Sequence, residues 1–353
     1  MNPIRVGVVG LGWAGRSIWL PRLCTHPAFE VVAAVDPEPV GRRVAERDWP
    51  DITLLTDVDG LAESDVDLVV VAVPNHLHHD IAHSLLSRGT PVFLEKPVCL
   101  SVAEADSLAA AERTGDAVLL AGSAACHRVN VRALRDLSAA LGPIRHVELS
   151  WIRARGIPSG GGWFTRRRLS GGGVLVDLGW HLLEVAGMLL GDLDITQVAG
   201  TVSADFVDDA AWHAGWRQDA VAGPADDVED TVNAFLITEH GTSVTLRASW
   251  ASHEDRDVTL AGVYGSAGTA RLACTFGFSP HRQDRSTLTL TRDGKTVPQL
   301  LPEEPVGAEY DRQLEEIPSL LADPASRGRA IGQARRVVEV IERVYGSGPR
   351  RTA

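Results

Sequence analysis

The sequence predicts an α/β domain built on a doubly wound parallel sheet, followed by an α+β domain with a mostly antiparallel sheet. In the first 125 residues, short Val, Ala and Leu runs alternate with segments of helical periodicity. Continuous apolar runs are typical of parallel strands buried on both faces. Further along, strand-like runs follow one another with few helices, as in antiparallel sheets. We expect domains at 1–125 and 126–345 and a flexible tail at 346–353.

The first domain should contain five strands connected by helices. Ser101 followed by Glu104 forms a capping box at the start of one helical segment. Alternation of strand and helix produces parallel strands, because each connecting helix returns the chain to the end of the sheet at which the previous strand began. The expected strands are 4–9, 31–35, 68–73, 91–94 and 118–121, and the expected helices are 40–49, 76–88 and 101–114.

The second domain should begin with a helix, continue with strands and end with two helices. We expect the first helix at 130–141 and the closing helices at 309–321 and 329–345. The strand-like segments between them include 145–152, 196–202, 231–238, 242–251 and 286–291.

Length and composition restrict the class of protein. A chain of 353 residues with 44% hydrophobic and 23% charged residues is typical of a soluble two-domain protein. No apolar run approaches the roughly 20 residues that cross a bilayer, and no secretory leader precedes the first strand. We therefore expect a cytoplasmic protein without a membrane partner. The net charge of −12 argues against a nucleic-acid partner, and the four scattered cysteines lack a zinc-binding spacing.

The stretch "VGVVGLGWAG" places Gly10, Gly12 and Gly15 directly after the first strand. In this pattern the first glycine makes a tight turn, the second lets a pyrophosphate approach the backbone, and the third lets helix and strand pack closely. Asp36 ends the next strand, where a carboxylate accepts hydrogen bonds from the adenosine ribose. Strand, glycines, helix, strand and acid together predict a dinucleotide-binding site.

The carboxylate of Asp36 favours NAD over NADP, because it repels a phosphate on the ribose 2′ position. Arg42 and Arg43 lie a few residues further along and keep NADP as the alternative cofactor. On a helix, these arginines are otherwise typical of a solvated face.

Two further stretches follow strands, "VPNHLHH" at 73–79 and "EKP" at 95–97. Ligands of open α/β sheets bind at the carboxyl ends of the strands, so both stretches are expected to form site loops. The histidines at 76, 78 and 79 lack a completing Cys or carboxylate, and we expect no metal site.

The stretch "GGGVLVDLGWHLLE" at 171–184 begins with three glycines and continues as an apolar helix. Asp177, His181 and Glu184 are spaced by four and three residues, which places them on one helical face. Histidine titrates in the range useful to a general acid or base near neutral pH. We expect the three glycines to let the backbone approach a substrate.

The motifs "GLGWAG", "VPNHLHH", "EKP" and "GGGVLVDLGWH", in this order, resemble the glucose–fructose oxidoreductase / inositol dehydrogenase (Gfo/Idh/MocA) family. The resemblance extends from about residue 5 to 345. It implies a Rossmann domain followed by a domain with an open-faced sheet, with NAD(P) and a polyol or sugar in the cleft between them. It also implies a homodimer or homotetramer that pairs through the open face.

The resemblance assigns the chemistry to Lys96 at the nicotinamide, to Asp177 and to His181 as the catalytic acid/base. It also implies that the Lys96–Pro97 peptide bond is cis. Glu184 matches a frequent family aspartate and stays outside the catalytic set. The implied cofactor-binding residues are Gly10, Gly12, Trp13, Ala14, Gly15, Asp36, Pro74, Asn75, His78, Glu95 and Lys96.

One stretch departs from the family pattern. Where members often have an aromatic-rich sequence after the last Rossmann strand, this chain reads "SAACHRVN". Cys126, His127 and Arg128 are therefore expected to line an altered part of the cleft or to lie outside it.

The charge of the substrate remains open at this stage. Residues 205–230 contain eight acids and one arginine, a charge run that is typical of a solvated loop. Because Trp212 and Trp216 are interleaved, the alternative is a loop over the cleft that suits an amino sugar or an aminoglycoside-like compound. Arg166, Arg167 and Arg168 could instead hold a carboxylate or phosphate. The favoured function is an NAD-dependent oxidoreductase that acts on a secondary hydroxyl of a sugar, cyclitol or amino sugar. The alternatives are an NAD-retaining glycoside hydrolase and a non-catalytic NAD-sensing regulator.

Overall fold

The computed structural model describes residues 2–63, 65–158, 161–215 and 227–347. These residues form two compact units. Unit 1 contains the described residues up to Ser123 together with Tyr310–Arg335, and unit 2 contains Ala124–Glu309 and the rest of the chain from Arg336. The limits of 1–125 and 126–345 stay predictions. The predicted tail falls partly in the last helix, and residues 348–353 lie outside the described residues.

Unit 1 is built on a parallel sheet of six strands, which confirms the predicted doubly wound class. The strand order is β3-β2-β1-β4-β5-β6, and the direction of progression reverses between β1 and β4. Such a switch point is where open α/β sheets bind ligands. The strands are β1 (Ile4–Val9), β2 (Phe29–Val35), β3 (Thr53–Leu55), β4 (Leu68–Val71), β5 (Val92–Leu94) and β6 (Leu119–Ala121).

Four helices of unit 1 connect these strands. A π-helical turn at Gly15–Trp19 leads into the first helix. The predicted capping box is present in part: Ser101 Oγ accepts from Glu104 N, while the Glu104 carboxylate accepts from Leu100 N at 2.7 Å. The helices are α1 (Leu20–Thr25), α2 (Pro39–Asp48), α3 (His78–Ser87) and α4 (Val102–Gly115).

Unit 2 contains a mostly antiparallel sheet of eight strands, as predicted for the second half of the chain. The strand order is β14-β13-β12-β11-β7-β10-β9-β8, and only the β7–β10 pair in this order is parallel. The strands are β7 (Ile144–Ile152), β8 (Ile195–Ser203), β9 (Thr231–Thr238), β10 (Ser243–Ser249), β11 (Val258–Gly265), β12 (Gly268–Cys274), β13 (Thr287–Arg292) and β14 (Lys295–Gln299).

Helices cover one face of this sheet. The first three helices of unit 2 are α5 (Val129–Ser138), α6 (Arg167–Ser170) and α7 (Trp180–Leu190), and a π-helical segment at Leu175–Gly179 leads into α7. Helix α7 packs on β7, while α5 packs on β12 and β13. On the other face, Phe235 and Leu260 are 46% and 39% exposed.

Two helices close the described chain, α8 (Ala308–Ala322) and α9 (Arg329–Ser347). The segment Tyr310–Arg335 of these helices and their connection belongs to unit 1 and is bonded to the rest of that unit. Gln313 Nε2 donates to Ala121 O at 2.8 Å, and Gly328 N donates to Glu112 Oε2 at 2.9 Å. The last turns of α9 belong to unit 2, where Arg343 donates to Thr196 O at 2.7 Å.

Among the described residues, the helical segment Arg167–Leu190 is long and apolar enough to span a membrane. In its most apolar window, 78% of the segment is buried inside the fold. This degree of burial is typical of the core helix of a globular protein, whose apolar residues pack against its own sheet.

Candidate active site

The glycine loop of unit 1 has the geometry of a phosphate cradle. Gly10 has φ +97°, and a Cβ there would lie 2.4 Å from Ala72 O. A Cβ at Gly15 would lie 1.9 Å from Gly10 O, so neither position accepts a side chain. At Gly12, by contrast, no described atom lies within 4 Å of the added carbon. The loop therefore presents open backbone beside a helix start, as a pyrophosphate requires.

Asp36 lies at the carboxyl end of β2 and is tied to this loop. Its Oδ2 accepts from Leu11 N at 2.7 Å, and its Oδ1 accepts from Glu38 N at 2.8 Å. Each carboxylate oxygen keeps a second lone pair, so the group can still accept from ribose hydroxyls. Arg42 donates to Pro37 O at 2.7 Å, so this arginine is engaged with the backbone of the same turn. The residues present fit an NAD cofactor.

His78 links the two loops that follow β4 and β5. Its Nδ1 lies 2.7 Å from Pro97 O and its Nε2 lies 2.9 Å from Val73 O. The side chain is 1% exposed, and this burial lowers the pKa of His78. Both ring nitrogens therefore face the protein backbone, although a neutral imidazole donates to only one carbonyl at a time. The predicted contact between His78 and the cofactor stays a prediction.

Glu95 fixes the backbone beside Lys96. Trp19 Nε1 donates to Glu95 Oε1 at 2.9 Å, and Lys96 N donates to Glu95 Oε2 at 2.9 Å. The Lys96–Pro97 peptide bond is cis, as the resemblance implied. Because Glu95 uses both oxygens in this way, it orients the chain at the predicted nicotinamide lysine. Of the remaining predicted cofactor residues, Asn75 is buried, and Trp13, Ala14 and Pro74 are half-buried.

In unit 2, the helix that carries the predicted acid/base group begins at a buried carboxylate. Glu229 accepts from Gly173 N and from Leu175 N, each at 3.0 Å. Tyr345 donates its hydroxyl proton to the same carboxylate at 2.8 Å. A Cβ at Gly172 would lie 1.9 Å from Tyr345 Oη, and a Cβ at Gly173 would lie 1.9 Å from Glu229 O. These two glycines therefore make room for Glu229 and Tyr345, which corrects the expectation that they make room for a substrate.

Asp177 and His181 are both buried, with 8% and 9% exposure. Asp177 Oδ2 accepts from Trp250 Nε1 at 2.9 Å. His181 Nδ1 lies 3.6 Å from Glu184 Oε2, and the Trp151 ring centre lies 5.9 Å from the imidazole. The structure therefore brings an imidazole, a group able to take up or give a proton, next to the carboxylate of Glu184.

The three residues that depart from the family pattern lie near this helix or bond within unit 2. Arg128 is buried and pairs with Glu309 at 2.8 Å, and its guanidinium stacks on Phe276 at 4.7 Å. His127 Nδ1 lies 2.7 Å from Arg132 Nη2. Burial raises the pKa of the Cys126 thiol well above its usual range, and the negative charge of Glu184 raises it further.

The two charged stretches considered for substrate recognition have structural partners. Arg167 stacks on Tyr345 at 4.2 Å, and Arg166 donates to Gly161 O. Arg168 is exposed. The ring of Trp212 contacts that of Phe206, with the centroids 4.7 Å apart and the planes tilted by 60°. Trp216 and the rest of residues 216–226 lie outside the described residues, so the predicted role of Trp216 stays a prediction.

Two acids of the 205–230 stretch are not part of a solvated loop. Glu229 is 5% exposed, and Asp230 is fully buried. Asp230 Oδ2 accepts from Phe206 N and Val207 N at 2.6 and 2.9 Å. These carboxylates therefore hold the fold together, and the acidity available to a substrate is smaller than the sequence suggests. Over the part of the chain that the structure describes, no three His, Cys, Asp or Glu residues form a metal-binding group.

Comparison with known proteins identifies the class. A family model described as the oxidoreductase family with an NAD-binding Rossmann fold matches residues 4–123, and the GFO/IDH/MocA C-terminal domain matches residues 131–271. The chain therefore belongs to the Gfo/Idh/MocA family, which confirms the resemblance. It is an NAD(P)-dependent oxidoreductase that acts on CH–OH groups.

Three similar proteins are informative. The chain is 55% identical over 344 residues to a putative UDP-kanosamine synthase oxidoreductase subunit of Amycolatopsis mediterranei, covering 98% of this chain and 96% of the relative. It is 28% identical to the dTDP-3,4-didehydro-2,6-dideoxy-alpha-D-glucose 3-reductase of Actinomadura kijaniata, covering 69% and 68%. The solved structure of GenD2 from gentamicin A biosynthesis, in complex with NAD, superposes with a TM-score of 0.76 at 25% identity, covering 98% and 94%.

Proposed function

We propose that the protein transfers a hydride between NAD and the 3-hydroxyl of a nucleoside-diphosphate hexose, and so provides the ketone from which an amino sugar is made. The observation that carries this proposal is the 55% identity, over nearly the whole of both chains, with a UDP-kanosamine synthase oxidoreductase subunit. In the forward direction, a secondary alcohol and NAD⁺ give a ketone, NADH and a proton.

Position 3 and the nucleotide are supported by the relatives' names. One relative reduces position 3 of a dTDP-linked sugar, and the other belongs to the synthesis of a UDP-linked sugar. An amino group is commonly introduced at a carbon that first becomes a ketone. We therefore propose that a second protein, which transfers the amino group, acts on the product.

In the proposed mechanism, His181 takes the hydroxyl proton while NAD, when bound, accepts the hydride. Glu184, 3.6 Å from His181 Nδ1, stabilises the imidazolium. Lys96 donates to the reacting oxygen and favours its alkoxide character. Asp177, held by Trp250, orients the substrate or the imidazole. The glycine loop and Asp36 hold the dinucleotide in unit 1.

An isotope-exchange assay tests this proposal without requiring net turnover. UDP-glucose that carries deuterium at C3 is incubated with the protein, NAD⁺ and unlabelled NADH. Reversible hydride transfer replaces the deuterium by hydrogen, and mass spectrometry measures the exchange. The same sugar with deuterium at C5, which is not adjacent to the proposed ketone, is the control, and it should keep its label.

The matched protein control is His181→Ala, which should bind NADH normally, as seen by NADH fluorescence, and lose the exchange. No exchange with UDP-glucose, dTDP-glucose or their C4 epimers in the wild-type protein would contradict the proposal. Retention of the C3 label together with loss of the label from a C2- or C4-deuterated sugar would assign a different carbon.

A second candidate substrate is favoured by the similarity to GenD2 of gentamicin A biosynthesis. An aminoglycoside-type sugar would replace the nucleotide sugar, and the same exchange assay with deuterated amino sugars that lack a nucleotide tests this candidate. The NAD-retaining glycoside hydrolase predicts release of a free sugar without accumulation of NADH. The sensing regulator predicts NAD binding that does not depend on His181 and no exchange with any sugar.

We also propose that the protein assembles as a homodimer or homotetramer through the face of the unit 2 sheet that carries Phe235 and Leu260. Apolar side chains of this size on an uncovered sheet face favour burial against another surface. The expected cytoplasmic location stays a prediction.

A further inference from the structure

We propose that Glu229 and Tyr345 form a clamp that positions the helix start of Asp177 and His181 for hydride transfer, an inference that rests on the proposed function. Here the clamp means these two side chains together with their bonds to Gly173 and Leu175. Neither residue is expected to touch the substrate. Both are positioning residues, because they act through the helix that carries the acid/base group.

The clamp captures three consecutive amide groups at the start of the helix. The carboxylate of Glu229 accepts from Gly173 N and Leu175 N at 3.0 Å, and its backbone oxygen accepts from Val174 N at 3.0 Å. Helix starts leave such N–H groups without intrahelical partners, and a negative charge there is favourable. Glu229 therefore fixes both the position and the direction of the first helical turn.

Tyr345 closes the clamp from α9. Its hydroxyl donates to Glu229 Oε1 at 2.8 Å. Burial and the adjacent Glu229 raise the pKa of Tyr345 well above its usual range, so the hydroxyl keeps its proton and remains a donor. Arg167 lies over the ring at 4.2 Å, and its Nη1 is 3.9 Å from Glu229 Oε2. The carboxylate is thus held from two sides.

The glycines make this close approach possible. A methyl group at Gly172 would meet the Tyr345 hydroxyl at 1.9 Å, and one at Gly173 would meet Glu229 O at 1.9 Å. Any side chain would push the helix start away from the clamp. The glycine run that precedes Asp177 is therefore part of the positioning device.

Asp230, the residue after Glu229, connects the clamp to the carboxylate of Asp177 through Trp250. Asp230 O accepts from Trp250 N at 2.9 Å, and Trp250 Nε1 donates to Asp177 Oδ2 at 2.9 Å. The pair Glu229–Asp230 therefore determines where the helix begins and where the indole that holds Asp177 lies. A shift of this pair moves both contacts together. Helical hydrogen bonding then transmits the shift to His181, because Asp177 N donates to Gly173 O at 3.0 Å.

The test compares Tyr345→Phe and Glu229→Gln with Tyr264→Phe. Tyr264 also donates to a carboxylate, Glu148 Oε2, at 2.8 Å, but on the sheet face of Leu260, away from the helix of His181. Because this face is the proposed interface, light scattering first checks that Tyr264→Phe keeps the wild-type assembly. Tyr345→Phe keeps the ring that Arg167 stacks on and removes only the hydroxyl. Tyr264→Phe is therefore a matched control for the loss of one tyrosine–carboxylate hydrogen bond.

Two measurements decide the outcome. In hydrogen-exchange mass spectrometry, peptides from the helix start at 171–182 should exchange faster than in the wild type in both clamp variants. In Tyr264→Phe their exchange rate should equal that of the wild type. In the isotope-exchange assay, the maximal rate should fall about 10- to 100-fold, as expected of a misplacement of about 1 Å. The affinity for NADH should stay unchanged, since that site belongs to unit 1.

The results separate the clamp from the proposed function. If the wild-type protein shows no isotope exchange, the proposed function fails, while the hydrogen-exchange result still decides whether the clamp fixes the helix. If both clamp variants keep wild-type maximal rates and wild-type protection at 171–182, the clamp is refuted. If Glu229→Gln does not fold, Tyr345→Phe alone decides. A fall in melting temperature with an unchanged rate per folded molecule would also overturn the positioning role.

Discussion

Replacing Gly173 with alanine should lower the free energy of unfolding far more than replacing another glycine of the same helical segment. The new Cβ would lie 1.9 Å from Glu229 O and 2.9 Å from the carbonyl carbon of Glu229. Both are backbone atoms, so no side-chain rotation relieves the contact. Separating them to about 3 Å requires a backbone shift of about 1 Å, which costs roughly 1–3 kcal/mol as overpacking.

The same shift weakens two hydrogen bonds at the carboxylate of Glu229, those from Gly173 N and Leu175 N. A bond to a charged group contributes roughly 1.5–3 kcal/mol. We therefore expect Gly173→Ala to lower the free energy of unfolding by about 4 kcal/mol. Urea unfolding followed by tryptophan fluorescence measures this change.

Gly187→Ala is the matched control. Gly187 lies in α7, and the nearest atom to its added carbon is Leu193 Cβ at 4.0 Å. Alanine in a helix interior is favoured over glycine by about 1 kcal/mol, so this variant should equal or exceed the wild-type stability. If Gly173→Ala unfolds within about 1 kcal/mol of the wild type, the close approach to Glu229 is not a feature of the protein and the reasoning fails.

Four further results are expected. Asp36→Ala should weaken NADH binding by about tenfold, as measured by fluorescence titration, because it removes an acceptor for the ribose hydroxyls; unchanged affinity would place the ribose elsewhere. Burial lowers the pKa of His78, so the unfolded chain takes up a proton there first and wild-type stability is lost as the pH falls below about 6.5. His78→Asn should show a smaller loss of melting temperature between about pH 7.5 and 5.5, and an identical slope would contradict this assignment. Burial raises the pKa of Cys274 to about 12 and also raises the pKa of Cys24, but only Cys24 is exposed, so with a disulfide reagent at about pH 8 Cys24 should react in the folded protein and Cys274 only after unfolding. Phe235→Asp should shift the assembly to smaller species in light scattering, and an unchanged mass would exclude this face as the interface.

Local patterns in the sequence were sufficient to predict the glycine turn and the carboxylate of unit 1. Gly10, Gly15 and Asp36 lie within one strand–helix–strand unit, so their spacing predicts both the turn and the position of the carboxylate. The short strand β3 (Thr53–Leu55) was not predicted, because three residues are too few to show a periodicity. Strands β11, β12 and β14 were likewise not among those named from the sequence.

In the second half, the sequence identified the helix of Asp177 and His181 but not what holds it. Glu229 was assigned to a charged loop, yet its partners Gly173 and Tyr345 lie 56 and 116 residues away. Trp250, 73 residues from Asp177, gave no local signal either. The predicted strand that begins at Thr231, directly after Asp230, was a sign that Glu229 and Asp230 lie at an ordered edge.

The sequence by itself determined most of the strands and helices, the glycine turn after the first strand, and which residue types can titrate. These properties depend on neighbours a few residues away, so a local pattern expresses them. The tertiary structure alone decided that the glycines at 172 and 173 face Tyr345 and Glu229, and that two acids of a charged stretch are buried acceptors. A hydrogen bond needs its donor and acceptor within about 3 Å, and over separations of 56 residues or more only the packing of the whole unit sets that distance.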